Sequence, residues 1–187
     1  MEIRTFFTLS ILMLVMNLGA QSLQDIRKNE LKLNALYLAE GTVEMSYERW
    51  VGKRLGIGLS SYVAFRDDGM IFFGDSFPWN FSLIPYMRVY FGKTGYKGFF
   101  LEGNFMLGSN TRVRDEKGSG NAIAWDLGAG MAYGAKWVFG KHWGIEAYVG
   151  IGLTTNLYDT PQLENLWTWI SDEFFYPRCG VSIVKRF

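Results

Sequence analysis

The sequence predicts an all-β fold: an eight-stranded, antiparallel, up-and-down transmembrane β-barrel of the outer-membrane type, its closed lumen filled by side chains. Three observations predict it. Eight runs alternate in polarity with period 2. Their connections, apart from a short first one, alternate short and long, which puts the long ones at one end. One face of the runs is almost uniformly apolar and the other carries the charges.

The bulk properties agree. A chain of 187 residues suffices for one domain with a full core. Apolar residues make up 49% and charged residues 20%, which argues against disorder. Lys and Arg number 19 against 18 Asp and Glu, so no electrostatic case exists for nucleic acid. Glycine (22) and aromatic residues (17%) are both abundant, as in β-barrels. The sole cysteine, Cys179, cannot form an internal disulfide or a cysteine zinc site. The sole histidine, His142, rules out a site built on two imidazoles. Both are expected to be structural.

Residues 1–20 are expected to be a secretory signal peptide. Arg4 precedes an apolar run, 6–16, interrupted only by Thr8 and Ser10, and Leu18-Gly19-Ala20 forms a small-residue cleavage site. The run is short for a membrane-spanning helix, and no later segment reaches the ~18 uninterrupted apolar residues of one. No cysteine follows the run to carry a lipid anchor. Residues 21–30 are then a lead-in and 31–187 the barrel.

The runs are 31–37, 43–48, 55–65, 81–91, 99–107, 126–139, 143–153 and 178–187. Most are long enough to cross a bilayer when tilted, which takes about 9 to 11 residues. The connections are 39–42, 52–54, 66–80, 92–98, 109–123, 140–142 and 157–176. Gly52-Lys53-Arg54, Gly92-Lys93-Thr94-Gly95 and Gly140-Lys141-His142 have the composition of compact turns.

Charge content assigns the faces. The charged set comprises Lys32, Glu44, Glu48, Arg88, Glu102, Asp126, Lys136, Glu146, Arg178 and Arg186. An eight-stranded barrel is only wide enough inside for side chains, and mutual pairing would satisfy these charges there without an open channel. Glycines 56, 58, 128, 130, 134, 150 and 152 would make room for Tyr62, Tyr86, Tyr90 and Trp50. The apolar face then meets lipid. Two aromatic girdles fit this arrangement. Trp50 (counted in both sets), Phe91, Phe99, Trp137, Phe139, Trp143 and Phe187 lie at the short-turn end; Tyr37, Phe65, Phe81 and Trp125 lie at the other.

Phe187 closes the outward row Val181, Ile183, Phe187, which Lys185 interrupts. A terminal aromatic so placed resembles the signal by which barrel-assembly machinery recognises bacterial outer-membrane barrels. The runs KLNALYLAEGTVEMSYERWVGKRLGIGLS, IPYMRVYFGK, GFFLEGNFML, LGAGMAYGAKWVF, GIEAYVGIG and RCGVSIVKRF resemble the small outer-membrane barrels of Bacteroidota catalogued as domain of unknown function 3575. The patterns YER, PYxRxYFGK, GFFxEG and GxKW recur there in this order. The resemblance covers nearly the whole mature chain and implies an architecture. It implies no activity and no site residues.

Several motifs fail as chemistry. Gly92-Lys93-Thr94 lacks the first glycine of a phosphate loop, since Met87 stands there. Gly128, Gly130 and Gly134 have the wrong spacing for a dinucleotide fingerprint. A Ser-His-acid hydrolase would need His142, which falls in a short turn. Asp67, Asp68 and Asp75 are expected to be a solvated loop. No catalytic, cofactor or metal residue is assigned. The loop 157–176, LYDTPQLENLWTWISDEFFY, holds Trp167, Trp169, Phe174, Phe175 and Tyr176, candidate surface-contact residues that would otherwise pack over the barrel mouth.

The expected protein is a monomeric, non-enzymatic barrel in the bacterial outer membrane. Its partners would be outer-membrane lipid, the assembly machinery through Phe187, and a protein or glycan at the outer loops. The alternative is a narrow pore or a membrane component of a transport complex.

Overall fold

The computed structural model describes residues 27–65, 79–92, 97–113, 121–157 and 174–187. The expected signal peptide, Asp67, Asp68, Asp75, Trp167 and Trp169 lie outside the described residues. The elements are β1 (Asn29–Asn34), α1 (Ala35–Ala39), β2 (Thr42–Val51), β3 (Leu55–Ala64), β4 (Trp79–Tyr90), β5 (Gly98–Val113), β6 (Asn121–Phe139), β7 (Trp143–Asn156), β8 (Phe174–Pro177) and β9 (Gly180–Arg186).

Every consecutive strand pair from β1 to β7 is antiparallel, and β9 pairs with both β7 and β1. The sheet is therefore closed, a barrel with no free edge. Strands β8 and β9 are two pieces of one stave. Both pair with β7 in the same register, Ile151 opposite Pro177 and Tyr148 opposite Gly180. Pro177 has no N–H to donate to the ladder. The Arg178 N–H donates to the Gly150 carbonyl at 3.0 Å, which carries the pairing across the gap. The barrel thus has eight staves.

Three departures from the sequence reading have local causes. The first run ends at Asn34 rather than at residue 37, because the Asn34 side chain accepts from the Leu36 and Tyr37 amides and starts α1. The same side chain donates to the Cys179 carbonyl at 3.2 Å and accepts from the Val181 amide at 3.3 Å, tying the helix start to β9. Strand β1 begins at Asn29, inside the expected lead-in, where Asn29 pairs with Arg49. Strands β5 and β6 continue their pairing to Val113 and Asn121, so most of the expected connection 109–123 is ladder.

The short turns lie at the same end as the entry to β1 and the exit from β9. Gly52 and Gly140 adopt left-handed φ values of 78° and 62° there, which a side chain would strain. Among the described residues no helix is long and apolar enough to cross a membrane; strands are a separate matter.

Glycines on the inner face let large side chains cross the lumen. A Cβ at Gly58 would strike the Tyr86 ring, and one at Gly152 would strike the Tyr176 ring. Gly103 has open space around it. Gly152→Ala is expected to destabilise the barrel by about 1–3 kcal/mol through overpacking. Gly103→Ala should stay within about 0.5 kcal/mol of the parent. Urea titration of the refolded barrel measures both.

Candidate functional site

The lumen holds the chemistry-bearing side chains of the described residues. All seven described carboxylates are buried: Glu30, Glu40, Glu44, Glu48, Glu102, Asp126 and Glu146. Lys32, Arg88, Lys136, Arg178 and Arg186 are buried with them. The structure therefore buries every member of the charged set assigned from sequence.

The five cations and five of the glutamates form one connected network. Glu48 is its hub. Lys32 Nζ donates to Glu48 at 2.7 Å, Arg88 Nη1 at 3.3 Å, Lys136 Nζ at 3.4 Å and the Tyr90 hydroxyl at 2.9 Å. Arg88 also reaches Glu102 at 2.7 Å and Glu146 at 2.9 Å. Lys32 donates to Glu146 at 2.8 Å. Toward the long-loop end, Arg178 bridges Glu102, at 2.9 Å, and Glu44. Toward the short-turn end, Glu30 accepts from Lys136 at 2.6 Å and from the Trp50 indole at 3.1 Å, and Arg186 lies 3.2 Å from it. Five cations thus face five glutamates (30, 44, 48, 102 and 146), so the network is neutral as a unit.

Aromatic rings fill the gaps between the charges. The Arg88 guanidinium sits 4.3 Å from the Phe100 centroid and 4.7 Å from that of Tyr86. Lys136 lies 4.5 Å from the Tyr90 centroid and 4.9 Å from that of Trp50. Such contacts stabilise a cation where water is absent. Above the network, Tyr37, Tyr62, Trp79, Ile84, Met106 and Tyr176 form an apolar plug at the long-loop end. Tyr37 meets Tyr62 edge-on at 5.6 Å, and Trp79 meets Tyr176 edge-on at 6.2 Å. Asp126 stands apart from the hub, accepting from the Trp79 indole at 2.8 Å.

Some sequence assignments change. Tyr176 is fully buried over Gly152 and donates its hydroxyl to Asn104, so it is no surface-contact residue. Phe175, its neighbour, points the other way and is 64% exposed. The Phe174 side chain lies outside the described residues. Trp50 and Tyr37 are buried in the lumen rather than in a girdle. His142 is exposed in the β6–β7 turn, where its Nδ1 contacts the Arg27 guanidinium. Among the described residues no group of three or more His, Cys, Asp or Glu side chains is arranged to hold a metal.

Three lumen residues escaped the sequence reading. Glu30 was placed in the lead-in, although it continues the alternation of Lys32 backwards. Tyr176 is likewise in phase with Arg178, but Pro177 interrupts the run. Trp79 is out of phase: simple alternation puts it with Phe81 on the outside. A register shift between Trp79 and Phe81 turns it inward, and no residue pattern announces that bulge.

Removing the Glu48 charge leaves Lys32, Arg88 and Lys136 without their shared anion. Glu48→Gln is expected to cost about 3–5 kcal/mol, the range for breaking a buried ion pair. The measurement is the urea midpoint of the refolded barrel. Tyr90→Phe, which removes one neutral donor to the same carboxylate, should cost about 1–2 kcal/mol.

The chain is similar to the N-terminal β-barrel domain of Pseudomonas aeruginosa OprF, at 13% identity and a TM-score of 0.47, over 88% of this chain and 100% of that one. No curated protein matches the chain. A family model described as Protein of unknown function (DUF3575) matches residues 6–184. The chain belongs to the DUF3575 family.

Proposed function

We propose that this protein is an integral outer-membrane barrel that acts as a closed, non-enzymatic wall element and makes its specific contacts through its outer loops. One observation carries the membrane reading: the barrel's polarity is inverted relative to a water-soluble one. Its charges are inside. Its outside presents Phe105 at 65%, Val149 at 68%, and Ile57, Met87, Met131, Ile151 and Val181 in rows around the wall. Soluble proteins rarely expose apolar patches beyond a few hundred Å². Lipid removes the cost of this surface, and a closed sheet leaves no backbone group unpaired in the bilayer.

The exposed rings of Phe91, Phe99, Trp137, Phe139 and Trp143 at the short-turn end support the same placement, because aromatic side chains favour the membrane interface. The signal peptide expected at 1–20 and the terminal Phe187 support delivery to the outer membrane through the assembly machinery. The charge-balanced network and the rings packed around it support a wall rather than a pore. Trp167, Trp169, Phe174 and Phe175 are the residues proposed to contact a surface protein or glycan, and the barrel is proposed to work as a monomer.

Cell fractionation with gels run boiled and unboiled tests the placement. The protein is expected in the outer membrane, with folded and unfolded forms migrating differently. A soluble protein without a heat shift would overturn the reading. In planar bilayers no discrete conductance is expected. Reproducible steps that change when Glu102 or Arg88 is replaced would establish the narrow pore instead.

A further inference from the structure

The outside of the barrel is electrically lopsided. Every described carboxylate side chain is buried. Among the described side chains, the exposed cations are Lys28, Arg49, Lys53, Arg54, Lys97 and Lys141, and all of them lie at the short-turn end. By sequence, the connections 66–78 and 158–173 at the other end are net acidic. Among the described side chains, the short-turn end therefore presents a net excess of positive charge at the level of the aromatic girdle.

At one place this charge climbs onto the wall. Arg49 on β2 and Lys185 on β9 stand in the outward-facing rows on either side of β1. Arg49 pairs across the ladder with Asn29, and Lys185 pairs with Leu31. Two strand spacings of about 4.8 Å and two residues of rise at about 3.3 Å separate the two positions, roughly 12 Å between backbones. Polar groups lie beside Arg49, and an aromatic ring on β7 lies beyond Lys185. Asn29 Oδ1 accepts from the Tyr47 hydroxyl at 2.8 Å and from Arg49 at 3.4 Å. Lys185 Nζ lies 4.2 Å from the centroid of the exposed Trp143 ring. Lys28 is exposed just below. Cations on a lipid-facing row are costly unless they reach the headgroups, and at this height both side chains can.

We propose that the β2–β1–β9 wall at the short-turn end is a binding site for the headgroup of an anionic phospholipid, with Arg49 and Lys185 as its two cationic arms. The proposal rests on the membrane reading above and adds a lipid class, a leaflet and the residues. A phosphodiester between the arms takes hydrogen bonds from a guanidinium and an ammonium. A zwitterionic headgroup brings its own cation into the same gap and gains less.

The test uses the chain refolded into phosphatidylcholine vesicles and then moved to neutral micelles. Equal amounts of phosphatidylglycerol and phosphatidylcholine are offered, and native mass spectrometry counts the lipid retained. Preferential retention of phosphatidylglycerol is expected. Each cation near an anionic lipid is worth about fivefold, so Arg49→Gln with Lys185→Gln should lower the preference about 30-fold. Lys53→Gln with Arg54→Gln, in the turn below, should lower it much less. Arg49→Lys with Lys185→Arg keeps both charges and should keep the preference. Equal retention of the two lipids, or a preference indifferent to Arg49 and Lys185, overturns the site while leaving the membrane barrel standing. A chain that never acquires its heat-resistant form in phosphatidylcholine overturns the membrane reading and the site with it.

Discussion

Glu48 is wholly buried and shares its two oxygens among Lys32, Arg88, Lys136 and Tyr90. A bare carboxylate in that position would be costly by many kcal/mol, so the charge is tolerated only because three other staves deliver partners to one point. Lys32 comes from β1, Glu48 itself from β2, Arg88 and Tyr90 from β4, and Lys136 from β6. Sliding any of these strands by one residue would turn its charged set outward and strand the others. The network therefore acts as a register lock. Buried ion pairs add little net stability over well-packed apolar side chains, and their contribution here is to make one arrangement of eight staves far better than its neighbours.

The lock shapes the rest of the lumen. Long charged side chains and rings need width, and the inner glycines of β3, β6 and β7 supply it: Gly58 under Tyr86, Gly134 under Phe100, Gly152 under Tyr176. With the polar groups drawn inward, the apolar residues of every strand face out. A barrel so built is poorly suited to water and well suited to lipid. The exposed cations at the short-turn end follow from the same division, since every described acid is committed to the lumen side and most others are placed by sequence in the opposite connections.

Most of this was legible in the residues. Period 2 identified the staves, and ten charges on one face identified the inside. Legibility failed where a single side chain or a local irregularity decided the outcome. Asn34 ends β1 by bonding its own helix start, while the alternation continues through Tyr37 unaware of it. Pro177 hid the upper stave that carries Tyr176. The bulge before Phe81 reversed Trp79, and with it the donor that satisfies Asp126. The family relationship, to proteins of unknown function, adds no site.

The inside-out division of polarity can be measured directly with single-tryptophan versions of the chain in vesicles of dibrominated phosphatidylcholine. Bromine quenches indole fluorescence on contact. A chain keeping only Trp137, or only Trp143, should be strongly quenched, since both rings are exposed on the wall. A chain keeping only Trp50, buried beside Glu30 and Tyr90, should keep its emission. Quenching of Trp50 with Trp137 and Trp143 unaffected would contradict the account, for it would place lipid where the ion-pair network is.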